Sequence, residues 1–320
     1  MSLQGPTVAY RDPDPTGRGR LLILEERITI AAVTVLNLLI TAFAGLGQAW
    51  DIFGLNLLII VSILGVALFH KRFRSAWMGF FRDWYVPAFL IVVFLESRKL
   101  IPLVNPHDLD SLFIRIDRVL FLGHDPTVLL ERITCPVLSE ILQISYASFY
   151  FLPFSLCLIL YLARPRIEFH ISASTILLGF YLSYLGYYLL PAIGPRFTLD
   201  HLQAFPLSGV LLFDVVRGML DQAEGVMRDC CPSGHVMISL LTVLLARRYA
   251  RGFFPAAFVW AVLIILSTVY LRYHYVVDLA AGAGLGLLVY GLGPGLAGPA
   301  VLRSLSAYDE PDALHRNFPS

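Results

Sequence analysis

The sequence predicts an all-α protein, a polytopic bundle of about eight transmembrane helices, and three observations predict it. Of its 320 residues, 57% are hydrophobic and only 15% charged, with a mean hydropathy of +0.71. Soluble domains carry about 25% charged residues, so a surface this poor in charge is wetted mainly by lipid. Eight apolar segments also approach the roughly 20 residues that cross a hydrocarbon core of about 30 Å: 28–49, 53–70, 84–97, 137–163, 168–190, 234–250, 254–271 and 277–299. Finally, the short connections HKRFR (70–74), ARPR (163–166) and ARRYAR (246–251) are basic and fall on one face of an eight-pass chain. Loops rich in Lys and Arg stay in the cytoplasm, which puts both termini there.

The same reading divides the chain. Residues 1–27 form a polar tail without the short apolar core and cleavage site of a signal peptide, and 300–320 a second tail. Residues 28–106 hold the first three helices; 84–97 is the shortest, bounded by Asp83 and Glu96. Residues 107–136 mix charges with apolar residues at helical spacing around a GHDP break. They read as two helices lying in the interface, with Asp108, Asp110, Asp117 and Asp125 on the wet face. Residues 137–299 form the membrane core. The long loop 191–233 and the turn RYHYVVD lie on the outer face.

Several classes are disfavoured. A net charge of +1 offers no concentrated basic face for nucleic acid. No inverted repeat is visible and the ionisable residues gather at one face, unlike the midplane sites of transporters. The outer face has no carboxylate cluster to hold Mg²⁺, so neither metal nor cofactor is expected. Cys157 reads as a small hydrophobe; Cys135 either pairs with Cys230 or Cys231 on an oxidising face, or all remain free thiols. His107, His124, His170 and His201 read as solvated. Tyr146, Tyr150, Tyr184, Tyr187 and Tyr188 read as an aromatic belt, with Tyr150 and Tyr187 also candidates for a substrate entrance. The glycines of GAGLGLLVYGLGPG (282–295) read as close helix packing.

Three stretches carry chemistry. LLPAIGPRF (189–197) ends a helix in a Pro/Gly break and delivers Arg196. In CPSGH (231–235), Ser233 is a favoured N-cap and Gly234 admits close approach to the backbone. A helix N-terminus presents free N–H groups to an anion such as phosphate, and His235 lies in its first turn. In STVYLRYHYVVD (267–278), His274 and Asp278 are four apart, so on a helix Asp278 fixes one imidazole nitrogen and leaves the other free to attack phosphorus.

With these motifs the chain resembles the type-2 phosphatidic acid phosphatase superfamily of integral-membrane lipid phosphatases and phosphotransferases, whose signature is K-x6-R-P, P-S-G-H and S-R-x5-H-x3-D. Pro232-Ser233-Gly234-His235 matches the second part in full. Ser267, His274 and Asp278 match the third, with Thr268 where the family has Arg. Only Arg196 matches the first: Leu189 replaces the Lys and Phe197 the Pro. PAIGPR, LGHDPTVLLE and STVYLRYHYVVD are similar to the subgroup related to inositol phosphorylceramide synthases, which has extra helices ahead of a six-helix-type core.

The resemblance implies that His274 attacks phosphorus to form a phosphohistidine, that Asp278 orients it, and that His235 protonates the leaving alcohol and later deprotonates the acceptor. Arg196 and the amides around Ser233 and Gly234 would hold the phosphoryl oxygens. Arg272, one helical turn after Thr268, would replace a missing cation or else snorkel to the interface. The substrate would be a lipid phosphate or phospholipid in the bilayer. The acceptor would be water, or an alcohol such as a ceramide, a diacylglycerol or a polyol; a transporter or scaffold is the remote alternative.

Overall fold

A computed structural model of the chain describes residues 21–73, 75–163, 166–224 and 228–305. The expected tails at 1–20 and 306–320, and part of the basic connections at 74 and 164–165, lie outside these residues. The described residues are all-helical, with no strand among them. The helices are α1 (Leu24–Leu39), α2 (Leu46–Arg72), α3 (Ala76–Trp84), α4 (Pro87–Val104), α5 (Asp110–Leu120), α6 (Pro126–Leu129) and α7 (Pro136–Ala147). They continue with α8 (Phe151–Ala163), α9 (Ile167–Leu189), α10 (Pro195–Thr198), α11 (Phe213–Glu224), α12 (Gly234–Tyr249), α13 (Phe254–Tyr270) and α14 (Val276–Leu305).

Four helical stretches are long and apolar enough to cross a membrane: Leu24–Ala44, Leu46–Arg72, Ile167–Leu189 and Val276–Val301. The pair α7 and α8, bent by 51°, makes a fifth if it is one span. Pro153, in the first turn of α8, has no N–H to continue the ladder of α7, which accounts for the break. The expected segments at 84–97, 234–250 and 254–271 are all helical. However, α12 and α13 are only 16 and 17 residues long, and α4 carries Glu96, Arg98 and Lys99.

The outside of the bundle is apolar. Trp50 is 72% exposed, Trp77 82% and Leu162 71%, a surface that suits hydrocarbon rather than water. Inside, Val33, Ile63, Val93, Leu156, Met237, Leu241 and Ile264 form one continuous core. At one end of it α1, α3 and α9 are tied by buried charge: Glu26 with Arg82 at 2.7 Å, and Glu25 with His170 Nδ1 at 2.9 Å. His170, expected to be solvated, is buried, because Glu25 gives its ring a hydrogen-bonded partner inside the bundle. His107, His124 and His201 are exposed as expected.

The site lies at the other end, where α9, α12 and α14 pack together. Gly282 of α14 rests on the backbone of Ser233: a Cβ there would meet Ser233 O at 2.4 Å. Gly186 of α9 packs in the same way on the ring of Pro232, and Gly286 on Met237. The glycines of 282–295 thus serve close packing where they face α12, which draws two helix N-termini to within reach of each other.

Candidate active site

The α12 N-terminus is built as its sequence implies. Ser233 caps it, its side chain accepting from Val236 N at 3.4 Å, while its own amide donates to Asp278 O at 3.0 Å. The amides of Gly234 and His235 have no hydrogen-bond partner among the described residues, so the open donors start at Gly234. The ring of His235 packs between Tyr146 and Phe149, with centroids at 4.2 and 4.3 Å. Tyr146 stacks in turn on Tyr273 at 4.4 Å. One tyrosine of α7 therefore spaces His235 from the loop carrying His274.

That loop folds back on the end of α13, the amides of Tyr273 and His274 both donating to Thr268 O. His274 Nδ1 lies 3.0 Å from Asp278 Oδ2, and the backbone of Cys230 also bears on this ring. Burial works against charge on this ring, but the hydrogen bond and negative charge of Asp278 outweigh it, so His274 titrates above the ordinary imidazole value. The His235 and His274 rings have centroids 5.7 Å apart, tilted by 64°. Both line a cleft of about 770 Å³, its open mouth included, together with Arg196, Gly234, Asp221 and Asp229. Most of its remaining wall is aromatic, Phe94, Tyr146, Tyr150, Phe180, Tyr184 and Tyr187 among it, with Ser183, Ile193 and Cys230 between the rings.

Four of these tyrosines or their neighbours thus leave the expected belt. Tyr184, Tyr187 and Tyr188 are buried because α9 is enclosed by neighbouring helices, and Tyr146 of α7 because it is stacked between His235 and Tyr273; Tyr150 alone is exposed.

A family model described as the PAP2 superfamily matches residues 111–292, more than half of the chain. The chain belongs to the PAP2 superfamily. A 106-residue segment is also 31% identical to a PA-phosphatase related-family protein of Dictyostelium discoideum, the match covering 32% of this chain and 19% of that relative. No solved structure matches.

Within this PAP2 chain, His235, His274, Gly234 and Arg196 meet in the cleft and Asp278 stands directly behind them. Ser233 contributes its cap rather than a free amide. Arg272 is not brought to the cleft. The chain leaves helical geometry after Tyr270, and Arg272 takes a left-handed φ of 68°, so the expected one-turn register from Thr268 is lost. Its guanidinium points to Glu131 at 2.7 Å, Gln203 Oε1 at 2.7 Å and Phe205 O at 3.0 Å, a buried tie between loops. Arg228 is likewise held by Asp108. Leu189, standing where the family carries Lys, is 74% exposed.

The acids of 107–136 are the largest correction. Asp110, Asp117 and Asp125 are buried, not a wet face, because each has found donors. Asp117 caps α14, accepting from Val276 N at 2.8 Å and Val277 N at 2.9 Å. Asp110 accepts from Gly194 N at 2.9 Å, Ile193 N at 3.0 Å and Tyr275 Oη at 2.8 Å. It thereby bolts the loop before Arg196 to the residue after His274. Gly194 permits this at φ 102°, where a Cβ would meet Tyr273 O at 2.6 Å. Asp125 pairs with Arg118 at 2.9 Å. The spacing of Asp110 and Asp117 carried no sign of their partners, which lie more than 80 residues away.

All four cysteines are free. The Cys230 thiol donates to Asp278 Oδ2 at 2.7 Å. Cys230, His274 and Asp278 offer ligand atoms within 4.8 Å of one another, spacing that a metal ion could bridge. With no ion bound, burial pushes the Cys230 thiol well above its usual pKa. Cys230 and His274 both meet Asp278 through Oδ2, while Asp278 Oδ1 has no hydrogen-bond partner among the described residues.

Proposed function

We propose that this protein transfers a phosphoryl group from a lipid phosphate or phospholipid through a phosphohistidine, as a lipid phosphatase or lipid phosphotransferase. PAP2 membership suggests such activity. The observation that carries the reading is the meeting of two imidazoles from separate helix entrances in one cleft, 5.7 Å apart, one of them held through Nδ1 by a carboxylate.

The chemistry follows from the geometry. The Nε2 lone pair of His274 forms a bond to phosphorus as the bond to the leaving oxygen breaks, and His235 gives that oxygen its proton. Asp278 holds the tautomer and stabilises the charge that appears on the ring. Arg196 and the amides of Gly234 and His235 offset charge on the phosphoryl oxygens. In the second half His235 takes a proton from water or an alcohol, whose oxygen attacks phosphorus and releases Nε2. No step draws on a metal. The subgroup resemblance makes inositol-phosphate transfer to a ceramide or glycerolipid the particular form of the transferase reading.

The chain is read as crossing the membrane eight times, α4, the α7–α8 pair, α12 and α13 joining the four longer helices. The cleft then opens at the outer face and both termini are cytoplasmic. What supports this is that the cleft groups gather toward one end of α9, Tyr187 lying about 26 Å from the His170 of the Glu25–His170 cluster by helix rise.

The purified full chain, given lipid phosphate in vesicles, should release inorganic phosphate, and His274→Ala should abolish release. Full turnover by His274→Ala overturns the reading. Added alcohols that divert phosphate into a new lipid identify the transferase, whereas release unaffected by acceptors identifies the phosphatase.

A further inference from the structure

The cleft contains a contact that the reaction does not use. Arg196 is engaged through both terminal nitrogens by Asp221 of α11: Nη1 to Oδ1 at 2.5 Å and Nη2 to Oδ2 at 2.7 Å. A carboxylate gripped in this bidentate way takes the same donors, in the same plane, that a guanidinium offers to phosphate. While the pair stands, Arg196 cannot present that fork to a substrate.

The surroundings are built for exchange. Asp221 is the only α11 residue lining the cleft among the described residues. Its side chain is 42% exposed against 19% for Arg196, so the acid returns to water at little cost while the arginine stays. Arg196 is also steadied without Asp221, its guanidinium lying over the rings of Phe197 and Tyr273 at 5.3 and 5.6 Å. Arg217 precedes Asp221 by four residues on the same helix, and its charge already acts on Asp221, so a released carboxylate has a second cation one turn away. The helix itself is fixed elsewhere. Glu140 accepts from the amides of Val210, Leu211, Leu212 and Phe213 at 2.6–3.2 Å, so only the Asp221 side chain needs to move.

We propose that Asp221 is a specificity gate, a built-in anion that occupies the phosphoryl seat of Arg196 and yields it to an incoming phosphate. This rests on Arg196 holding the phosphoryl group in the reading above. A ligand must out-compete a carboxylate, so a phosphomonoester dianion displaces the gate more readily than a phosphodiester monoanion. The gate lowers apparent affinity by the fraction of molecules in which it is shut.

The test uses the full chain in detergent or nanodiscs, with inorganic phosphate and dimethyl phosphate as probes and thermal stabilisation as the readout, which requires no turnover. Asp221→Asn should bind inorganic phosphate about tenfold more tightly than wild type, the scale of one charge-assisted hydrogen-bonded pair. It should also narrow the preference for inorganic phosphate over dimethyl phosphate. In an Arg196→Gln background the Asp221 substitution should bring no gain. Unchanged or weaker phosphate binding by Asp221→Asn, with turnover still lost in His274→Ala, overturns the gate and leaves the catalytic reading intact. Turnover retained by His274→Ala overturns both.

Discussion

The thiol of Cys230 and Nδ1 of His274 converge on one oxygen, Oδ2 of Asp278, at 2.7 and 3.0 Å. The carboxylate that orients the candidate nucleophile therefore shares its charge with a second donor, and the thiol moderates how strongly it pulls on the ring. Cys230→Ala should leave Asp278 a stronger partner for the imidazolium. The acid limb of kcat/KM should then move up by about half to one pH unit, while Cys230→Ser, which keeps a donor, should restore it. A change in unfolding temperature alone, with the limb unmoved, would reduce Cys230 to packing.

The proposed attack requires His274 without a proton on Nε2. Because Asp278 holds this ring above the ordinary value of 6.5, the protonated fraction stays high until the pH passes that raised value. Activity should climb as pH rises through a limb above 6.5, and Asp278→Asn should shift the limb downward while lowering kcat. A limb at or below 6.5 in the wild type would contradict the pairing.

The general-acid role proposed for His235 predicts a loss that depends on the substrate. His235→Ala should slow turnover of an alkyl lipid phosphate by about 10²–10⁴-fold, the usual worth of a general acid. An aryl phosphate with a good leaving group needs no such proton and should be slowed far less in the first step. Equal losses on both substrates, measured by phosphoenzyme formation, would remove the general-acid role.

Asp117 and Asp110 hold the frame rather than the phosphate. Asp117→Ala leaves the first amides of α14 uncapped and should cost about 1–2 kcal/mol, read as a fall in unfolding temperature. Asp110→Ala strands two amides and leaves the Tyr275 phenol only Thr198 as a partner, and should cost more, about 2–4 kcal/mol. Both should lower kcat by loosening the loops beside Arg196 and His274.

Gly282→Ala tests the packing that brings the two helix starts together. Its Cβ would press on the backbone of Ser233, and α14 must shift away. Misplacement of reacting groups by about 1 Å can cost about 10²-fold, so kcat should fall by that order. Gly284→Ala, whose Cβ meets nothing within 4 Å, should be silent in the same assay.

The amino-acid sequence by itself determined what local pattern and short spacing can encode. Hydropathy marked the helices; PSGH specified a capped helix start with His235 in its first turn; and the interval of four joined His274 to Asp278. Arg196, at a Pro/Gly break, was legible for the same reason. The tertiary structure alone decided what long-range packing assigns. It turned Arg272 away through one left-handed residue, and it sank Asp110 and Asp117 onto amides at 193–194 and 276–277. It also drew Tyr146 between His235 and Tyr273, and placed Asp221 on Arg196. A carboxylate or a phenol looks the same in sequence whether it faces water or a buried donor, because the donor that decides its role comes from a distant part of the chain.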